Sequence, residues 1–157
     1  MAENLRKTLA DVLPLLEKIG DEAAGVKSSP EKWSKKEILG HLIDSACNNQ
    51  HKFVRTMTEK RAEFTGYRQN EWVAAQKYDA AAWRELINLW HASNLHLARV
   101  IENAAPEVLT NEITIESAGT FTLEFIMTDY VEHLKHHLKQ ILPEAGLQNN
   151  FRNIYNT

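Results

Sequence analysis

Apolar residues recur at helical spacing in four separate stretches of the chain. In the first stretch, residues 2–19, they fall on one face, as expected for an amphipathic helix; they are Leu5, Leu9, Val12, Leu16 and Ile19. Pro14 lies inside this stretch, so the predicted helix either kinks there or is interrupted.

The other three stretches carry recognisable helix boundaries. Ser34 and Glu37 form a capping box, which starts a second helix that continues to about residue 60. Asp79 is a suitable N-cap for a third helix that ends before Pro106. Thr122 can cap a fourth helix of about twenty residues, and Pro143 ends it.

Two connections differ from simple turns. Residues 61–78 form a long mixed segment with room for a helical turn around Trp72. Further along, Ile113 and Ile115 alternate with polar residues, and Ala118–Gly119 supplies a turn, which predicts a short β-hairpin. The predicted fold is therefore an all-α four-helix bundle with a hairpin before the last helix. If the long connection is a crossover, the order is up-down-down-up, with helices two and four antiparallel.

Composition narrows the functional classes. The 157 residues suit a single domain, 1–157, in which we expect the polar tail 144–157 to be loosely ordered. The net charge of -3 and the lack of a basic stripe give no support to a nucleic-acid partner. The lone cysteine, Cys47, indicates an intracellular, cytoplasmic protein. No apolar run reaches the roughly 18 residues of a membrane span, and we expect no membrane partner.

Histidines are the most distinctive polar feature, with seven in the chain. His133 and His137 are four residues apart, so they lie on one face of the fourth helix, where two imidazoles can share a metal ion such as zinc or nickel. The spacing alone is a weak signal, and it more often marks a pair of surface or half-buried histidines on an amphipathic helix than a metal site. His136 is expected to point away from the pair.

His41 is the candidate third ligand. It lies two turns into the second helix, at the same height as His133 and His137 if helices two and four are antiparallel. Its position off the apolar stripe predicts an exposed side chain. A metal site at an open mouth of the bundle reconciles these two expectations.

Other polar residues fall where apolar ones are expected. Asn49 and Gln50 lie on the inward side of the second helix, and Asn94 lies within the third stripe. These amides line a substrate pocket or belong to a hydrogen-bonded core network, and the sequence leaves both open.

The remaining candidates have weaker support. Lys52 and Arg55 could hold an anionic group but are expected to be solvated, and Asp44 and Asp129 could accept from imidazole N–H groups. Three tryptophans and Cys47 are expected to pack in the core; the tryptophans are Trp72, Trp83 and Trp90.

Two motifs together resemble a known family. The first, W-S-x-x-E-I-L-x-H-L-I-D, runs from Trp33 to Asp44, and the second, Y-x-x-H-x-x-H-H-x-x-Q-I, runs from Tyr130 to Ile141. Their pairing at this separation is similar to the DinB-like superfamily of bacterial four-helix bundles. The resemblance implies a divalent metal ion bound by the matching positions, His41, His133 and His137.

The resemblance also bears on function. Members of that superfamily include thiol-dependent transferases and isomerases that use low-molecular-weight thiols, and proposed metal-dependent hydrolases. We therefore expect a metal-dependent enzyme, either a thiol S-transferase or a hydrolase, with a small-molecule substrate and with a low-molecular-weight thiol as a candidate second cofactor. The alternative is a non-catalytic, stress-related metal- or ligand-binding bundle. Self-association as a homodimer is left open.

Overall fold

The fold is known from a computed structural model that describes residues 1–116 and 118–153. Within these residues the chain is mostly helical, with a small three-stranded sheet. The helices are α1 (Ala2–Leu16), α2 (Asp21–Gly25), α3 (Lys35–Thr58), α4 (Gln69–Gln76), α5 (Trp83–Glu102) and α6 (Leu123–Ile141). The strands are β1 (Arg61–Phe64), β2 (Glu112–Ile115) and β3 (Gly119–Thr122). The four predicted amphipathic helices correspond to α1, α3, α5 and α6.

Local signals set the starts of two helices as predicted. The Ser34 side chain accepts from the Glu37 backbone N–H, and the Glu37 carboxylate accepts from the Ser34 N–H at 2.8 Å, which confirms the capping box. The Thr122 hydroxyl accepts from the Phe125 N–H at 3.2 Å and so caps α6. Pro14 does not interrupt α1, since that helix ends two residues beyond it.

The predicted cap of the third helix is wrong. Asp79 lies in the 3₁₀ turn Tyr78–Ala80, and α5 begins at Trp83 after Ala82. The Trp83 N–H instead donates to Asp21 Oδ1 at 2.7 Å. Because the acceptor comes from α2, 62 positions earlier in the chain, no local pattern around Trp83 indicates it.

The hairpin is confirmed, but it belongs to a larger sheet. β2 and β3 are antiparallel, and Gly119 has a φ of 112°, in the region that glycine tolerates best. The residues of β1, predicted as part of a connection, pair in parallel with β2 in the register Arg61↔Glu112. A four-residue strand whose partner lies about fifty residues away leaves little periodicity to detect.

Side-chain contacts show how the long helices run. Lys35, at the start of α3, donates to the carbonyl of Ile141 at the end of α6. Phe53, near the end of α3, contacts Tyr130, in the first half of α6. These two helices therefore run in opposite directions. No helix in residues 1–116 and 118–153 has both the length and the hydrophobicity that crossing a bilayer requires.

Two residues assigned to the core lie at the surface. Trp72 is 41% exposed and packs against Tyr67 rather than in the bundle, and Cys47 is also exposed. Trp83 and Trp90 are buried as predicted. Trp72 belongs to the short helix α4, of which only Val73 is buried, so it has no apolar face to join.

Candidate metal centre

The antiparallel contact of α3 and α6 brings three histidines together. His41 comes from the second turn of α3, and His133 and His137 come from the last three turns of α6. One ring nitrogen of each lies within 4.8 Å of the others. The ring centroids are 4.5–5.2 Å apart and the rings are steeply inclined to one another. The grouping predicted from the two motifs is thus present in the fold.

His41 is buried, with only 1% of its surface exposed, so its predicted exposure is wrong. The Trp33 ring lies 5.1 Å from its centroid, and the two histidines of α6 cover another side. Helical periodicity predicts burial only for the face on which apolar residues recur. It gives no indication that a polar residue off that face is buried by other polar residues.

The spacing of the imidazoles fits a shared metal ion. The Nε2 atoms of His41 and His133 are 3.3 Å apart. Two nitrogens bound tetrahedrally to one ion at about 2.0–2.1 Å are separated by about 3.3–3.4 Å. The same distance also permits an N–H···N hydrogen bond between neutral rings. Three convergent imidazoles, one of them fully buried, are nevertheless a donor group suited to zinc or nickel.

Burial keeps all three imidazoles uncharged. Desolvation, together with the repulsion that a protonated His137 would exert, lowers the pKa of His41 from 6.5 to about 3. Desolvation also lowers the pKa of His137, to about 4, although a hydrogen bond to Gln140 opposes the shift. The pKa of His133 is lowered by burial and by the neighbouring histidines. The rings are therefore neutral near pH 7, which is the form that binds metals.

A second layer of contacts orients His137. Its Nδ1 lies 3.3 Å from Gln140 Oε1, so it can donate there and leave Nε2 facing the other histidines. The Gln140 amide also contacts His136 Nε2 at 3.1 Å. His41 Nδ1 is different, because it is buried and has no hydrogen-bond partner among the described residues.

Asp44, one of the two aspartates expected to accept from an imidazole, pairs with other groups. Asp44 Oδ1 accepts from Gln76 and from the Tyr78 hydroxyl, both at 2.7 Å, and burial raises the pKa of this carboxyl. Asp129 lines the adjoining cavity, where its charge acts on Lys52. Asp44 therefore ties α3 to the segment around α4.

A cavity of about 1070 Å³ adjoins the histidines. His133 and His137 form part of its wall, whereas His41 lies behind them. His136, expected to point away, also lines it, with its ring centroid 5.1 Å from that of His137. Other polar side chains in the wall include Asn49, Lys52, Tyr67, Arg68, Asn70, Glu116 and Asp129.

The three expected pocket amides separate in the structure. Asn49 lines the cavity and donates to the Ser45 carbonyl at 2.9 Å. Gln50 is exposed, contacts His96 on α5 and is not among the lining residues, so the inward position expected for it is wrong. Asn94 is fully buried in the core, where it donates to the Trp90 carbonyl and accepts from the Tyr130 hydroxyl.

Several lining residues differ from the sequence-based prediction. Lys52, expected to be solvated, is only 8% exposed and lies in the cavity wall. Residues 66–71, predicted only as part of a connection, supply another side of the wall. Arg55, by contrast, pairs with Glu59 outside the cavity. The one local signal for Lys52 is its position between Asn49 and Phe53, on the inward half of α3.

Comparison with known proteins identifies related folds. The sequence profile of the DinB superfamily matches residues 4–141. YfiT from Bacillus subtilis, described as a probable metal-dependent hydrolase with an unusual four-helix bundle topology, superposes with a TM-score of 0.80 at 19% identity, over 90% of this chain and 82% of that chain. No curated protein sequence matches the chain.

A second solved structure is longer than this chain. The mycothiol-dependent maleylpyruvate isomerase superposes with a TM-score of 0.73 at 13% identity, over 98% of this chain but 63% of its own. A mutant of that isomerase gives 0.68 at 15% identity, with the same coverage. At these identities the likeness establishes a shared fold.

Proposed function

The chain belongs to the DinB superfamily, and on that basis we propose that it is a metal-dependent enzyme acting on a small-molecule electrophile. His41, His133 and His137 hold one divalent ion, zinc or nickel. The reaction is hydrolysis or transfer to a low-molecular-weight thiol. The superposed relatives support both versions, since one is described as a probable metal-dependent hydrolase and the other as mycothiol-dependent.

The observation that carries this proposal is the convergence of three neutral imidazoles beside a large polar cavity. Structural zinc sites are usually closed by four protein ligands, whereas catalytic sites use three and keep a position open. Such an ion, when bound, supplies Lewis-acid chemistry that makes water or a thiol a nucleophile near neutral pH.

The chain's own residues hold and orient the reactants. Lys52 and Asp129 place a positive and a negative group in the wall of the cavity. The amide of Asn49 lies one turn of α3 from Lys52. Burial raises the pKa of Tyr67, another lining residue, so this phenol keeps its proton and cannot act as a base at neutral pH. These groups suit a polar substrate that carries charge.

The remaining assignments belong to the same proposal. The four long helices are ordered up-down-down-up, which the antiparallel contact of α3 and α6 supports. The chain acts as a single domain in the bacterial cytoplasm, on a small molecule rather than a nucleic acid.

Metal analysis of protein purified without a histidine tag tests the proposal. We expect about one divalent ion per chain for a single site of three histidines, and activity against a panel of esters, or of thiols with electrophiles, that chelation abolishes and reloading restores. His137→Ala should remove both metal and activity while the helical circular dichroism persists, whereas the exposed His51→Ala should retain both. Equal behaviour of chelated and reloaded protein across the panel argues against an enzyme.

One observation favours the alternative of a non-catalytic metal- or ligand-binding bundle. The Phe151 ring lies against His133 and His136, with centroids 5.1 Å from each, and so covers part of the centre. A bundle that only stores or senses a ligand needs no access for a second reactant. Metal binding without turnover in the same panel would identify this function.

A further inference from the structure

The chain beyond α6 turns back along that helix. A 3₁₀ turn, Pro143–Ala145, is followed by Gly146 with a φ of 64°, which reverses the direction of the backbone. The Asn150 N–H then donates to Glu132 Oε2 at 2.6 Å. Because Glu132 lies more than two turns before the end of α6, residues 146–153 extend across the face that carries the histidines.

Phe151 makes the aromatic contact of this segment with the centre. Its ring centroid is 5.1 Å from His133, at a steep angle of 69°, and 5.1 Å from His136. Phe151 and Asn153 also line the cavity. The segment is therefore part of the cavity wall beside a proposed metal ligand.

The polar composition of the segment indicates that it separates from α6 at a small cost in free energy. Gln148, Asn149, Asn150 and Arg152 are polar and offer little apolar area for burial. Some of its hydrogen bonds are internal, such as that of the Phe151 N–H to Asn149 Oδ1 at 3.3 Å. Leu147 packs against the hydrophobic core and holds the start of the segment, whereas the part that reaches the histidines contacts α6 through the Phe151 ring and through the exposed Asn150–Glu132 bond.

We infer that residues 148–153, beyond the packed Leu147, form a removable cover over the metal centre and that Phe151 decides which ligands reach it. The inference rests on the proposed metal site. With the ring in place, a compact ligand can approach beside His133, whereas a bulky one must displace Phe151. Phe151 is thus a specificity-determining residue of the site.

Metal exchange kinetics test the cover without relying on turnover. In the full-length Phe151→Ala variant, Co²⁺ loading and Co²⁺ removal by EDTA should both accelerate by about 10-fold, because loss of one half-buried aromatic contact favours the open state to that extent. The equilibrium affinity for Co²⁺ should change little. Glu132→Gln, which weakens the hydrogen bond from the Asn150 N–H, should accelerate both loading and removal to a smaller degree.

Phe125→Ala is the matched control, since Phe125 is also on α6 but stacks on Phe121 at the opposite end. It should leave both rates unchanged. If Phe151→Ala speeds removal but not loading, the ring merely stabilises His133 and the cover is wrong. Unchanged rates of both Co²⁺ loading and Co²⁺ removal in Phe151→Ala would also contradict the proposed cover.

Ligand size gives a second measurement on the same Co²⁺-loaded proteins. Titrations with 2-mercaptoethanol and with reduced glutathione, followed by the cobalt absorption spectrum, should show that wild type prefers the smaller thiol. Phe151→Ala should reduce that preference by about 10-fold, for the same loss of one aromatic contact. An unchanged preference would remove Phe151 as a specificity determinant.

A measurement on metal-free protein separates failure of the cover from failure of the metal site. The ring protons of His133 and His136 lie close to Phe151, so their NMR resonances should move in Phe151→Ala and stay in place in Phe125→Ala. If wild type binds no metal but these resonances move, the proposed metal site fails, whereas the contact of Phe151 with the two histidines stands. If they do not move, the cover fails whatever the metal content.

Discussion

His41 Nε2 and His133 Nε2 lie 3.3 Å apart, although the two residues are separated by 92 positions in the chain. This contact joins α3 to α6 and forms the centre of the candidate site. Removal of one histidine should therefore change the surroundings of the other two, because the three ring centroids are 4.5–5.2 Å apart.

Metal content should depend on all three histidines. We expect His41→Ala, His133→Ala and His137→Ala each to weaken metal binding by about 10-fold or considerably more, since loss of a direct ligand exceeds the cost of losing an outer contact. His136→Ala should have little effect, because His136 is outside the group of convergent nitrogens. Metal analysis after dialysis measures this, and equal content in all four variants would exclude the assignment.

The stability of the metal-free protein should fall with acidification. The pKa values of His41 and His137 are lowered from 6.5 to about 3 and about 4 in the folded protein. Below pH 6.5 the unfolded chain therefore binds more protons than the folded one, and the free energy of unfolding decreases as the pH falls toward those lowered values. Urea unfolding in EDTA at pH 7 and pH 5 measures the decrease.

His41→Gln supplies the control for this pH dependence. Glutamine cannot titrate, so the variant should lose less stability than wild type between pH 7 and pH 5. The same loss in both proteins would mean that His41 is not held neutral by burial.

Gly40→Ala should destabilise the fold. A Cβ at residue 40 would overlap the Tyr78 ring, which packs directly on the backbone of α3. Overpacking of this kind costs about 1–3 kcal/mol of unfolding free energy. Gly25→Ala is the matched control, because no atom lies within 4 Å of the Cβ it would add. Denaturant midpoints compare the two, and equal values would contradict the close packing of Tyr78.

Tyr130→Phe should reduce stability without reducing metal content. The Tyr130 hydroxyl donates to Asn94 Oδ1 at 2.5 Å inside the core, and its loss leaves a buried acceptor without this donor. The expected cost is about 1–3 kcal/mol. Loss of metal together with stability would instead link this pair to the site.

Much of the helical framework could be predicted because its determinants are local. The capping box at Ser34, the cap at Thr122 and the apolar stripes each lie within a few neighbouring residues. The start of the third helix has no such local signal, since its first N–H donates to Asp21 from another helix. The pairing of β1 with β2 has none for the same reason, because the partner strand is distant in the chain.

The amino-acid pattern alone indicates that His133 and His137 can ligate one metal ion, because their four-residue spacing places them on one face of a helix. Tertiary packing buries His41 against them, turns Gln50 toward α5 and folds Phe151 back over the centre. Helix formation depends on neighbours within one or two turns, whereas burial depends on which distant segments pack together, and that information is spread over the whole chain.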